Sequence, residues 1–310
     1  MSPDVLIIGA GVAGISAVHW LVDQGFSPLD RAQGEAPTFL WVEASHRIGG
    51  VLHQVHNPLA QLVSTRNSSP VHWLEVAEAR LAHARLTPRF GTRVHRLSPA
   101  EDNVTVYLAD DIITAGLAIV ATGTTRRTLG LPGEVAHVGR GVARSGRAER
   151  HRFQSKRVVI IGGGDAALEN AMLLSEVGAE VVLIHRSAEF SARADFQHAV
   201  DTDPRIEVRR CTEVTAIEAE DGAPWLDSVV LRDGSRIPTD GLLIRIGVEG
   251  CYPVIEGLTE PGSFLPQRPH PRIIAAGDCT CPDFRAVPVA EGQGAEAARM
   301  ATVILGLRPS

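Results

Sequence analysis

Val5-Leu6-Ile7-Ile8-Gly9-Ala10-Gly11-Val12-Ala13-Gly14 is the stretch that decides the fold. Its first four residues are all apolar and mostly β-branched, as in a strand buried on both faces. The strand runs into a Gly-x-Gly-x-x-Gly turn, and a helix-forming stretch continues to about Gly25. In such a turn Gly9 and Gly11 allow a tight bend and a close backbone approach to a pyrophosphate. Gly14 lets the helix pack on the strand, and the unpaired amides and positive dipole end at the helix start hold the negative charge. A second apolar run, Phe39-Leu40-Trp41-Val42, ends at Glu43, an acid placed to accept hydrogen bonds from ribose hydroxyls. The interval from Gly14 to Glu43 exceeds the usual ~20 residues, because residues 26–38, rich in Pro, Gly and Ser, read as an inserted loop.

The same plan recurs. Arg157-Val158-Val159-Ile160-Ile161 leads into Gly162-Gly163-Gly164-Asp165-Ala166-Ala167, a Gly-x-Gly-x-x-Ala turn, then a helix to about Gly178 and the strand Val181-Val182-Leu183-Ile184. This strand ends in His185-Arg186 instead of an acid. An acid there selects a free 2′-hydroxyl, whereas an arginine pairs with the 2′-phosphate of NADP. An ordinary solvated arginine at a strand end is the alternative. Two such turns imply two nucleotides. Between them, residues 93–113 alternate like antiparallel strands, followed by the apolar run Leu117-Ala118-Ile119-Val120-Ala121-Thr122-Gly123. Another strand and turn, Arg272-Ile273-Ile274-Ala275-Ala276-Gly277-Asp278, precedes a final helix, and residues 257–271 read as a loop. Strands alternating with helices predict an α/β fold with parallel sheets.

With 310 residues and 44% hydrophobic content the chain has material for two domains. A net charge of −6 provides no basic surplus for a phosphate backbone, so nucleic acid is not an expected partner. Apolar runs are strand-length, well short of the ~20 residues of a membrane span, and the first residues lack a signal-peptide pattern, so a cytoplasmic location is expected. The four cysteines, Cys211, Cys251, Cys279 and Cys281, contain no C-x-x-C spacing and suggest no metal site.

Taken in order, the two glycine turns, Gly49-Gly50, Ala121-Thr122-Gly123, Gly130-Leu131-Pro132-Gly133, His185-Arg186 and Gly277-Asp278 resemble the thioredoxin reductase branch of the pyridine nucleotide-disulfide oxidoreductases over essentially the whole chain. The resemblance implies an enzyme with two Rossmann-like domains. One, discontinuous over 1–125 and 250–310, would bind FAD; the other, inserted at 126–249, would bind NADPH, with NADH possible. It implies FAD contacts from Gly50, Thr122 and Gly123, a hydrogen bond from the ribityl chain to Asp278, and a helix after Arg285-Ala286-Val287 aimed at the flavin N1 side. A homodimer and a rotation of one domain against the other are also implied.

One departure is informative. Where the family carries Cys-x-x-Cys-Asp, this chain reads Ser145-Gly146-Arg147-Ala148-Glu149, which cannot form a disulfide. Ferredoxin/flavodoxin–NADP reductases and bacillithiol disulfide reductases of this type also lack that pair. The former carry a C-terminal extension, and the latter a cysteine where this chain has Val12-Ala13. The expected acceptor is therefore a small molecule or small redox protein of open identity. Candidate catalytic groups are His53 and His56, for proton transfer, and Cys279 and Cys281, which would make a thiol oxidase. A nucleotide-binding flavoprotein without turnover is a further alternative.

Overall fold

In the computed structural model the described residues are 2–32, 34–55, 59, 69–219, 225–258 and 263–307. The chain divides into two compact units, residues 1–125 with 249–310, and residues 126–248.

The first unit begins with β1 (Val5–Ile8), helix α1 (Val12–Asp23), the short β2 (Ser27–Pro28) and β3 (Thr38–Val42). The expected loop at 26–38 therefore contains an edge strand: Ser27 and Pro28 pair in parallel with Thr38 and Phe39. An edge position tolerates Pro28, because one side of the strand donates to nothing. Helix α2 (Pro70–His83) follows, its start capped by Ser69, whose hydroxyl accepts from the His72 amide at 3.1 Å. Then come three antiparallel strands, β4 (Arg96–Pro99), β5 (Val104–Tyr107) and β6 (Ile112–Ala115), and the buried β7 (Leu117–Val120). A short β8 (Thr124–Arg126) leads onward.

The second unit is built on β9 (Val142–Ala143), a one-turn helix α3 (Gly146–Glu149), β10 (Arg157–Ile161), α4 (Asp165–Glu176), β11 (Glu180–Ile184), α5 (Ala194–Thr202) and β12 (Ile206–Arg209). An antiparallel group, β13 (Val214–Glu218), β14 (Ser228–Leu231) and β15 (Arg236–Pro238), precedes β16 (Gly241–Ile244). The parallel sheet has the order β12-β11-β10-β16-β9. Successive residues of β10 face different cores: Val158 and Ile160 pack with α4, while Val159 and Ile161 pack against the antiparallel group. Burial on both faces is why this strand reads as a continuous apolar run.

The chain returns through β17 (Val248–Gly250) and β18 (Val254–Ile255) to β19 (Ile273–Ala275) and the long helix α6 (Val287–Ile304). Strand β19 completes the first unit's parallel sheet in the order β19-β7-β1-β3-β2. Here Val5 and Ile7 of β1 face a core shared with α1 and α6, and Leu6 and Ile8 face one shared with β4 and β5. Each of these fully buried side chains contributes about 1.5–3 kcal/mol. Both parallel sheets thus end at a glycine turn followed by a helix. No described helix is long and apolar enough to cross a membrane.

Candidate functional site

The first glycine turn is fixed by close approaches. Gly9 has φ +108°, and a Cβ there would lie 2.4 Å from the Ala121 carbonyl oxygen. One on Gly14 would lie 2.0 Å from the Gly9 oxygen, so α1 can pack on the turn only with glycine at that position. Gly11 differs: its φ is −79° and nothing lies within 4 Å of a Cβ built on it. The fold does not require glycine there; its bare Cα leaves room for a ligand. The indole Nε1 of buried Trp41 donates to the Gly9 oxygen at 2.9 Å, fastening the turn to β3.

Glu43 lies just beyond β3, held on both carboxylate oxygens: the Ala10 amide donates to Oε2 at 2.6 Å and the Ser45 amide to Oε1 at 2.7 Å. A carboxylate accepts about four hydrogen bonds, so the side chain is oriented yet retains acceptor capacity. Beside it, Gly49 donates its amide to the Ala10 oxygen at 2.7 Å, which brings Gly50 against Gly11. Helix α1 starts at Gly11 with no side-chain cap and no acid in its first turn. Its first amides have no partner within the helix and are left for an anion.

These groups line one cavity of about 600 Å³ contained in the first unit, within the range of ligand sites. Its walls include Gly9, Gly11, Glu43 and Gly50, Thr122 and Gly123, Gly277 and Asp278, and Arg285, Ala286 and Val287, where α6 begins. The Thr122 hydroxyl oxygen is buried without a hydrogen-bond partner among the described residues. Burial pushes the Asp278 carboxyl above its ordinary range, and the Arg285 guanidinium acts in the opposite direction. Gly277 is held by Gln293 of α6, whose Oε1 accepts from the Gly277 amide at 2.7 Å and the Thr280 hydroxyl at 3.0 Å. Gln293 carries no local sequence signal; its role depends on α6 crossing the turn. Arg93 and Tyr252, also absent from the sequence expectation, line the cavity too.

Of the candidate catalytic residues, His53, Cys279 and Cys281 are not among those that line it. His53 hydrogen-bonds through Nε2 to the Ile48 carbonyl at 2.8 Å and is not a wall residue. His56 lies outside the described residues. Cys279 is fully buried in the core between the two sheets of the first unit, its thiol directed at the Val120 and Ala276 carbonyls at 3.6 and 3.4 Å. Burial raises its pKa to about 12. Cys281 meets Gln293 Nε2 at 3.3 Å, and both thiols are free. A packed core thiol of such low acidity is a poor nucleophile, so Cys279 as placed here lends no support to a catalytic pair with Cys281. Among the described residues no cluster of His, Cys, Asp or Glu is arranged to hold a metal.

In the second unit, Gly162 has φ +150°, and a Cβ there would lie 2.2 Å from the Arg245 carbonyl oxygen. The turn ends at Gly164, where α4 begins without a side-chain cap. His185 is turned back over the turn: its Nε2 hydrogen-bonds to the Glu189 carbonyl at 3.0 Å, and the ring occupies the space that a Gly163 side chain would fill. The loop after β11 is tied down as the Ser191 amide donates to the Gly163 oxygen at 2.9 Å and the Arg193 amide to Asp165 Oδ1 at 2.8 Å. Ala166 continues the first turn of α4. Arg186 is exposed just past β11 and forms no ion pair among the described residues. Ser145 accepts from the Ala148 amide at 3.2 Å, capping α3 with its hydroxyl.

A family model described as pyridine nucleotide-disulphide oxidoreductase matches residues 3–294. The thioredoxin reductase of Streptomyces clavuligerus is 31% identical over 95% of this chain and 91% of its own length. That of Treponema pallidum is 27% identical, over 96% and 95%. An alkyl hydroperoxide reductase polypeptide of Staphylococcus epidermidis is 23% identical, and the chain spans only 57% of its length. Among solved structures, Lactococcus lactis thioredoxin reductase superposes with a TM-score of 0.78 at 24% identity, covering 98% of this chain and 99% of that one. The bacillithiol disulfide reductase of Bacillus cereus gives 0.71 at 18% identity, covering 99% of each. The two structures establish the fold; the family rests on the match to nearly the whole sequence. The chain belongs to the pyridine nucleotide-disulphide oxidoreductase family, as an FAD-dependent, NAD(P)H-oxidising enzyme of its thioredoxin reductase-like class.

Proposed function

We propose that the first unit holds FAD in its cavity, that the second holds NADPH at the Gly162–Gly164 turn, and that electrons leave to an acceptor without an intervening cysteine pair. The observation that carries the reading is the state of the cavity wall: free helix-start amides, an open Gly11 and an oriented Glu43 line one space together with Thr122 and Asp278. This donor set fits a dinucleotide with a polar tail. The amides of Val12 and Ala13 would receive the pyrophosphate, Glu43 the ribose hydroxyls, and Asp278 a hydroxyl of the ribityl chain. The start of α6 at Val287, which lines the cavity and has no side-chain cap, would offset negative charge on a bound group through its free amides.

When bound, FAD supplies a two-electron acceptor for hydride from the nicotinamide. Arg186 would pair with a 2′-phosphate, and His185, locked over Gly163, sets the direction of the strand end that carries it. Ser145 and Ala148 stand where the resembled enzymes carry their cysteines, and a hydroxyl capping α3 has no redox couple to offer. Thiol oxidation by Cys279 and Cys281 gains no support from a core-packed Cys279. Whether the acceptor is a small molecule or, as the relatives' names suggest, a redox protein such as thioredoxin is decided by assay. Anaerobic addition of NADPH to the purified yellow protein should bleach the flavin absorbance near 450 nm, and restoring it with candidate acceptors one at a time identifies the partner. A flavin-loaded protein that NADPH does not bleach would overturn the proposal.

A further inference from the structure

At the carboxyl end of β16 the second unit carries positive charge that its own acids leave uncompensated. Arg245 directly follows that strand; its guanidinium donates from Nη1 to the Ile244 carbonyl at 2.8 Å and from Nη2 to the Arg144 carbonyl at 2.9 Å. Arg126 donates from its own Nη1 to the same Arg144 carbonyl. Two guanidiniums therefore share one acceptor, and neither pairs with a carboxylate among the described residues. The acid that acts on both is Glu149. Its carboxylate is already committed, accepting from the Arg144 and Ser145 amides at 2.9 and 3.0 Å on Oε1 and pairing with Arg152 at 2.8 Å through Oε2. Burial, together with the neighbouring Arg126 charge, lowers Arg245 to about 10. Burial and Arg144 lower Arg126 as well. Like charges held together at a partly desolvated place are costly unless a counter-ion joins them.

Each guanidinium has five N–H donors, so most on this pair remain unassigned, in the fork geometry that suits a carboxylate or phosphate. The placement narrows the ligand. In doubly wound sheets ligands sit outside the carboxyl ends of the strands, and the Arg245 carbonyl lies against Gly162 of the nucleotide turn. The two anionic parts of NADPH have candidate places elsewhere, the pyrophosphate at the start of α4 and the 2′-phosphate at Arg186 beyond β11. Strand β16 lies on the opposite flank of β10 from β11.

We infer that Arg126 and Arg245 form an anion-binding site of the second unit that takes the carboxylate or phosphate group of an acidic small molecule. This rests on the second unit holding NADPH as proposed above.

The test is calorimetric titration of the FAD-loaded protein with inorganic phosphate, with NADP⁺ present at saturation so that the nucleotide's own places are filled. Saturable phosphate binding is expected. It should weaken about tenfold in Arg126→Gln, as for the loss of a charge-assisted contact, and disappear in the double variant with Arg245→Gln. FAD content and melting temperature show whether each variant folds; Arg126 is exposed, so its single variant keeps the test intact if Arg245→Gln does not fold. No saturable binding by the parent protein, equal binding by folded variants, or binding seen only without NADP⁺ would overturn the inference. NADPH bleaching measured on the same preparation reports separately on the proposed function.

Discussion

Replacing Gly11 and Gly14 by alanine, one at a time, separates what the first glycine turn does for the fold from what it does for a ligand. Gly11 has a backbone conformation open to any residue, and a methyl there meets nothing within 4 Å. Gly11→Ala should therefore leave the apoprotein's stability unchanged or raise it by about 0.4–1 kcal/mol, through the lower entropy of the unfolded chain. The methyl stands where a pyrophosphate must approach the α1 amides. Losing one charge-assisted hydrogen bond costs about 1.5–3 kcal/mol, so FAD affinity should fall roughly 10- to 150-fold. For Gly14→Ala the methyl would lie 2.0 Å from the Gly9 oxygen, and overpacking of this kind costs about 1–3 kcal/mol. Urea denaturation of both apoproteins and flavin-fluorescence titration with FAD give the two quantities independently. Wild-type FAD affinity in Gly11→Ala, or a loss of apoprotein stability equal to that of Gly14→Ala, would refute the placement of the pyrophosphate.

Arg186→Ala should remove most of a preference for NADPH over NADH, a preference of up to about a hundredfold if the 2′-phosphate contact has the usual strength, with NADH turnover little changed; equal kcat/KM for the two nucleotides in the parent enzyme would contradict this. Asp278→Asn should stabilise the apoprotein at pH 7 while weakening FAD binding. Burial raises the Asp278 pKa, so the folded state holds this proton more tightly than the unfolded one, and ionisation at neutral pH costs stability. That cost disappears as pH falls below the unfolded value, so the midpoint difference between parent and variant should shrink from pH 7 toward pH 3.5; a gap that widens with acid would show the sign to be wrong.

Much of the architecture is legible in the chain because both parallel sheets bury their central strands on both faces. Val5–Ile8 and Arg157–Ile161 announce themselves as apolar runs, and glycine turns mark where each helix begins. Less legible are elements whose reasons lie in tertiary contacts. Strand β2 has two residues, one of them proline, and exists only through its pairing with β3. The antiparallel group β13–β15 does not stand out, since a register shift between Val214 and Ala216 interrupts the alternation of β13, and β14 and β15 have only four and three residues. Within the cavity, Gly11, Glu43 and Asp278 are readable from motif chemistry, whereas Gln293 is not, because it reaches Gly277 only when α6 crosses back over the turn. Cys279-Thr280-Cys281 misleads in sequence: adjacency suggests a pair, but the turn sends Cys279 into the core and Cys281 toward Gln293.

Under the proposed function, with Ser145 and Ala148 unable to form a disulfide and Cys279 packed in the core, the flavin is the redox centre. An anaerobic dithionite titration of the FAD-loaded protein counts the electrons it stores. A flavin takes up two and a disulfide two more, so the endpoint should come at about two electrons per FAD. An endpoint of about four, reduced to about two by changing Cys279 and Cys281 to serine, would contradict a flavin-only enzyme and place the chemistry on those thiols.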